Sequence, residues 1–162
     1  MKKERWRLYA KKADFAAISK AYGINQVTAR IMRNRGVETK EEIESYLKGD
    51  LDYLSDPALM KDADKAASLL EAAIANNELI AISSDFDNDG IFSGLLLKEA
   101  IIELGGRAAI FTPNRVMEGY GVNSRIVEEA NANGASVLLT CDTGIAAFEA
   151  IDEAKKLGMT VI

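Results

Sequence analysis

The 162-residue sequence contains no histidine. Its absence removes Ser-His and Cys-His nucleophiles, histidine general bases and histidine-bearing zinc sites from the chemistry these residues supply. Cys141 is the single cysteine, which excludes a disulfide within the chain. No stretch reaches the roughly 18 apolar residues of a membrane span. The charged start Met1-Lys2-Lys3-Glu4-Arg5-Trp6-Arg7 is followed by no apolar region of the kind a secretory signal needs. The expected setting is therefore cytoplasmic, with no membrane partner. What remains is carboxylates, backbone amides and metals.

Apolar residues make up 48% of the chain and charged residues 28%. That suffices for a core, since a chain of this length buries roughly two thirds of its unfolded surface. The net charge of −5 hides an asymmetry. Residues 1–40 carry 11 Lys and Arg against 3 Asp and Glu, whereas the rest carries 9 against 22. A basic arm on an acidic body suits nucleic acid at one end and metal at the other, although two solvated surfaces of opposite sign give the same count.

The leader reads as helical. Phe15, Ile18 and Tyr22 recur at helical spacing, Gly23 interrupts, and the pattern resumes from Gln26 to Asn34 with Val27, Ala29 and Ile31 as the expected inner face. Helix, glycine turn, helix is the outline of a helix-turn-helix in which Thr28, Arg30, Arg33 and Arg35 would meet phosphates. A plain helical hairpin has the same outline. Thr39 and Glu42 form a capping-box pattern ahead of a short helix. Leu51 to Pro57 is a turn-rich joint, and Asp62 or Asp64 is placed to cap a further helix ending at Asn76-Asn77.

From Glu78 the pattern changes. Four short apolar runs, Leu79–Ile82, Ala108–Phe111, Val137–Leu139 and Met159–Ile162, alternate with three helical segments. That alternation predicts an α/β domain, a parallel sheet with helices on both faces and right-handed crossovers. The expected division is a helical region over 1–77 and an α/β domain over 78–162. A chain closing on a buried strand suggests a piece of something longer.

In such sheets ligands bind beyond the carboxyl ends of the strands. After the first run comes Ser83-Ser84-Asp85-Phe86-Asp87-Asn88-Asp89-Gly90; after the third comes Cys141-Asp142-Thr143-Gly144. Neither loop holds a cation. Gathered carboxylates repel, so one takes a proton or a cation neutralises them. Hard divalent ions prefer oxygen, which points to Mg²⁺ or Mn²⁺. In an extended segment Asp85 and Asp87 share one side, with Phe86 directed into the core, and Asp142 faces both from another strand. Two ions so held would activate water for in-line displacement at phosphorus. Asp89 is expected to cap the next helix or to hold the loop through backbone amides, backing the ligands. A calcium EF-hand is excluded: its twelfth position, counted from Asp85, is Leu96, and a strand precedes the loop. The segment Thr112–Asn123 follows the second strand and offers Asn114, Arg115, Glu118, Tyr120 and Gly121. Arg115 suits phosphate and Tyr120 suits base stacking, unless the loop packs on itself with Arg115 paired to Glu118.

Together these segments resemble the DHH phosphoesterases. Asp85-Phe86-Asp87-Asn88-Asp89-Gly90 resembles the family's first motif, and Cys141-Asp142-Thr143-Gly144-Ile145 its second. Pro113-Asn114-Arg115 with Glu118-Gly119-Tyr120-Gly121 resembles the bacterial RecJ branch, as do Trp6, Ala29-Arg30, Asn34-Arg35-Gly36-Val37 and Leu54 through Pro57. The resemblance implies a Mn²⁺- or Mg²⁺-dependent 5′→3′ exonuclease on single-stranded DNA. It also implies single-strand-binding and other DNA repair proteins as further partners. Asp85 would hold one metal, Asp87 the other, and Asp142 would bridge them, while Asn114, Arg115, Tyr120 and Gly121 would face substrate. Ser83 stands where some relatives carry a ligand histidine, and Thr143 where many RecJ proteins carry asparagine. The Asp-His-His motif, a fourth metal-binding motif and a substrate-gripping domain would follow Ile162, so this chain is expected to be inactive alone. Alternatives are a DHH enzyme acting on short oligonucleotides, cyclic dinucleotides or pyrophosphate, and a non-catalytic DNA-binding module built on the basic leader.

Overall fold

The structure, a computed structural model, describes residue 5 and residues 9–162. Trp6, one of the leader residues carrying the family resemblance, lies outside them. The chain forms two compact units, Met1–Asp56 and Pro57–Ile162.

The first unit holds α1 (Phe15–Tyr22), α2 (Gln26–Asn34) and α3 (Lys40–Lys48). Local chemistry sets each boundary. Asp14 caps α1 through the Ala17 amide, and Gly23 ends it at φ 65°, a left-handed turn suited to glycine. Asn25 caps α2, and Thr39 and Glu42 form the expected capping box on α3. The inner face of α2 differs from the expectation. Ala29 and Met32 are buried, whereas Val27 is 64% exposed and Ile31 46%. Val27 and Ile31 form one i,i+4 stripe, and Ala29 and Met32 form another, at i,i+3. The stripe with the small residue permits close helix approach, and flexible Met32 fills what is left.

The second unit contains α4 (Ala63–Ala75), β1 (Leu79–Ser84), α5 (Asn88–Glu103), β2 (Arg107–Phe111), α6 (Arg115–Glu118), α7 (Ser124–Ala132), β3 (Ala135–Cys141), α8 (Phe148–Lys156) and β4 (Thr160–Val161). The four strands are parallel in the order β2-β1-β3-β4. The division of the chain therefore falls before α4, not after it as the sequence pattern suggests. The reason is that Ala73 of α4 is buried with Ile80 and Ile82 of β1. Asp62 sits at the start of α4 with φ 61°, but its side chain makes no capping bond.

Strand alternation distributes the core. Ile80, Ile82, Val137 and Leu139 face one layer with Ala73 of α4 and Ile101 of α5. Ala81 and Leu138 face the other, with Ile126, Val127 and Ala130 of α7 and Ala150 and Ala154 of α8. Helices thus cover both faces, which is what continuous apolar strands require.

Candidate metal centre

Parallel register builds the site. Ser83 of β1 pairs with Phe111 of β2 and Thr140 of β3, and Ser84 pairs with Cys141. Asp85 and Asp142 are the next residues on adjacent strands, and the loop after Phe111 leaves from the same edge. Two backbone features hold the acids there. Asp87 caps α5, its Oδ1 accepting from the Gly90 amide at 3.0 Å. A Cβ on Gly90 would lie 2.4 Å from the Asp85 carbonyl oxygen, so only glycine lets α5 begin against the end of β1. Asp142 turns out of β3 with φ 57°, a left-handed conformation uncommon for a residue with a side chain.

One carboxylate oxygen each from Asp85, Asp87 and Asp142 lie within 4.8 Å of one another; among the described residues no other such group forms. Asp85 is 0% exposed, and neither of its carboxylate oxygens has a hydrogen-bond partner. The other two acids are exposed. A buried carboxylate without a partner is costly, and two further acids beside it deepen the cost. Desolvation, followed by repulsion from Asp87, Asp89 and Asp85, pushes the Asp142 carboxyl above its ordinary range. The Tyr120 phenol is raised as well, chiefly by the Asp85 charge that it approaches. That approach falls short of hydrogen-bond geometry, since both Asp85 oxygens remain unpartnered. An all-oxygen anionic donor set around a dry carboxylate fits a hard divalent cation.

The surrounding residues differ from expectation in two places. Asp87, not Asp89, caps α5; the Asp89 side chain is exposed, and its carbonyl accepts from Ser93 Oγ at 2.7 Å. Phe86 does not enter the core. Its ring is half-buried, with the Arg115 guanidinium 4.3 Å from its centroid and the Tyr120 ring edge-on at 6.1 Å. Phe86 lies two residues beyond Ser84, the last ladder residue of β1, so strand alternation no longer dictates its direction. Arg115 accordingly is not paired with Glu118.

Glu118 instead takes Arg125 of α7 and the Asn114 amide, the latter at 2.7 Å. Arg125 also donates to the Thr112 carbonyl at 3.2 Å and pairs with Glu129. This clamp was missed in the sequence, as was α6; the signal for α6 is Asn114, whose Oδ1 accepts from the Val116 and Met117 amides. Gly121 is buried at φ 84°, and a Cβ there would lie 2.8 Å from Thr143 Oγ1, so the two loops meet closely. In the leader, Arg30 lies 4.3 Å over the Phe15 ring, Arg33 pairs with Glu38 and donates to the Lys12 carbonyl, and Arg35 donates to Tyr46 Oη. The three arginines expected to meet phosphate are thus engaged within their own unit.

A parallel sheet with carboxylates gathered at its carboxyl edge defines a class, and the sequence comparison agrees: residues 79–162 match the DHH family, N-terminal domain, and the chain belongs to that family. More particularly, it is similar to the single-stranded-DNA-specific exonuclease RecJ of Dickeya dadantii (strain 3937), 37% identical over 82% of this chain and 23% of that protein. It is likewise similar to that of Bacillus subtilis (strain 168), 32% identical over 99% of this chain and 20% of that protein. The chain therefore spans about a fifth of the length of these curated relatives. A solved exonuclease RecJ bound to manganese superposes with a TM-score of 0.61 at 30% identity, covering 67% of this chain and 28% of that one.

Proposed function

We propose that this chain is the metal-binding part of a DNA exonuclease that hydrolyses single strands in the 5′→3′ direction, with Asp85, Asp87 and Asp142 as ligands and Mn²⁺ or Mg²⁺ as cofactor. One observation carries the reading: a wholly buried carboxylate with no partner, joined by two more acids at the carboxyl edge of a DHH-family sheet. The similarity to exonucleases named for single-stranded DNA supplies the substrate class.

When bound, the divalent ions supply Lewis acidity to water and to the phosphoryl oxygens. The chain's own residues position the rest. Asp87 is oriented by its bond to the Gly90 amide, and Asp142 by the turn out of β3. Arg115, held over Phe86, presents a guanidinium to substrate phosphate from the same edge. Tyr120 lies beside it with an exposed ring. Asn114 and Gly121 shape that loop, and Asp89 adds negative charge behind the ligands. Three carboxylates would supply only part of the ligands that two hard divalent ions take, so the isolated chain turns substrate over slowly or not at all. The reading carries with it a cytoplasmic setting and DNA repair proteins as partners. Among the described residues no helix is long and apolar enough to cross a membrane.

A Mn²⁺ titration followed by electron paramagnetic resonance tests the assignment. Wild-type chain is expected to take up the ion and Asp142→Asn to lose most of that uptake. Equal uptake by the two proteins would refute the site. Rapid cleavage of 5′-phosphorylated oligo-dT by the chain alone would refute its dependence on further residues.

A further inference from the structure

All five aromatic residues of the second unit, Phe86, Phe92, Phe111, Tyr120 and Phe148, lie at or just beyond the carboxyl ends of β1, β2 and β3. Phe111 is buried and Phe86 is covered by Arg115 and Tyr120. Phe148, the first residue of α8, is 74% exposed. A lone exposed phenylalanine is ordinary; its surroundings are what matter.

Two neighbouring cavities lie on this edge, one of them reaching Asp142. One, about 470 Å³, is lined by Tyr120, Gly121 and Asp142. The other, about 390 Å³, is lined by Asn123, Ser124 and Phe148. Val122, Ala146 and Ala147 line both, so they form one groove leading from Asp142 to Phe148. Both volumes fall in the range of small-ligand sites. The far cavity has no cation in its lining, and its single charged residue is Glu149. It is therefore ill suited to phosphate. An exposed, flat apolar ring in a groove that also carries the Ser124 hydroxyl suits a neutral, planar group.

We propose that this groove is a nucleobase subsite in which Phe148 stacks on an unpaired base of the strand whose phosphate lies at the acids; the inference rests on the nuclease reading above. A base can reach Phe148 only when it is free of a duplex stack, so the subsite selects single strands. Stacking is sequence-tolerant because every base has a π-face.

The test is binding of 5′-phosphorylated, 3′-labelled dT tetranucleotide to the full 162-residue chain by fluorescence anisotropy, with and without Mn²⁺. A second probe replaces the penultimate bases by abasic residues and keeps the phosphates. Phe148 is exposed, so Phe148→Ala is expected to keep the wild-type circular dichroism spectrum. It should weaken dT binding about 5- to 150-fold, the range for one lost base stack. It should leave affinity for the abasic probe unchanged, and Phe148→Tyr should retain wild-type binding. Equal binding of dT by wild type and Phe148→Ala, or an equal loss on both probes, would overturn the subsite. So would a wild-type chain that takes up Mn²⁺ yet binds no dT, while leaving the metal assignment standing. Base-dependent binding through Phe148 without Mn²⁺ uptake would support the subsite and sink the nuclease reading.

Discussion

Asp85→Asn separates the cost of the acid cluster from its use. In the metal-free protein Asp85 is a buried carboxylate whose two oxygens have no partner, with Asp87 and Asp142 within 4.8 Å. The substitution exchanges an unpaired buried charge for an unpaired buried amide and removes two repulsions. The melting temperature without metal is therefore expected to equal or exceed that of wild type. Saturating metal reverses the order. A ligand at 100 times its dissociation constant stabilises a folded protein by about 2.7 kcal/mol. For a chain of this length that is about 5–10 °C. The assay is differential scanning fluorimetry over a Mn²⁺ series: wild type climbs by that amount and Asp85→Asn stays flat. A variant that still climbs would show that the ion binds elsewhere. A metal-free variant that melts far below wild type would show that Asp85 is a structural group with partners, contrary to its empty hydrogen-bond shell.

Two further outcomes follow from the loops. Gly90→Ala places a Cβ 2.4 Å from the Asp85 carbonyl, against backbone that cannot swing away. It should cost about 1–3 kcal/mol in urea unfolding, the range for overpacking, and should weaken Mn²⁺ uptake by moving Asp87. Arg125→Ala removes the clamp on Glu118. The Arg125 side chain is 45% exposed, so the loss in stability is about 1 kcal/mol or less, but amide hydrogen exchange over residues 112–121 should quicken markedly. The clamp also predicts a pH profile. Bonding to Arg125 and then to the Asn114 amide holds the Glu118 carboxyl below its ordinary value of 4.5. A depressed carboxyl stabilises above its unfolded value and loses that contribution as pH falls through the folded one. Slow exchange of the Asn114 amide should therefore persist through pH 4.5 and fail only below it; failure above that value would contradict the clamp.

Chain order alone carried much of the architecture. The runs at Ile80–Ile82 and Val137–Leu139 are short and continuously apolar because both sheet faces are covered, and this shows in consecutive residues. The caps at Asn25, Thr39 and Asn123 are equally local, since each side chain bonds an amide two or three residues on. Even the acids were legible, because a parallel sheet sends every strand's carboxyl end to one edge. Side-chain direction beyond the ladder was not. Phe86 was expected inside and instead carries Arg115 and Tyr120, since its neighbours arrive from a loop some 30 residues later.

The same distinction accounts for the buried stripe of α2 and for the place of α4. Val27 and Ile31 are more apolar than Ala29, yet Ala29 is buried, because the partner helix selects the stripe that lets it approach. The second unit claims α4 because β1 needs a cover for Ile80 and Ile82, a demand that no residue within α4 reveals. Periodicity and capping act over a few residues and are written in the order of the chain. Which face is buried, which cation meets which ring and where one unit ends depend on groups brought together only when the strands align.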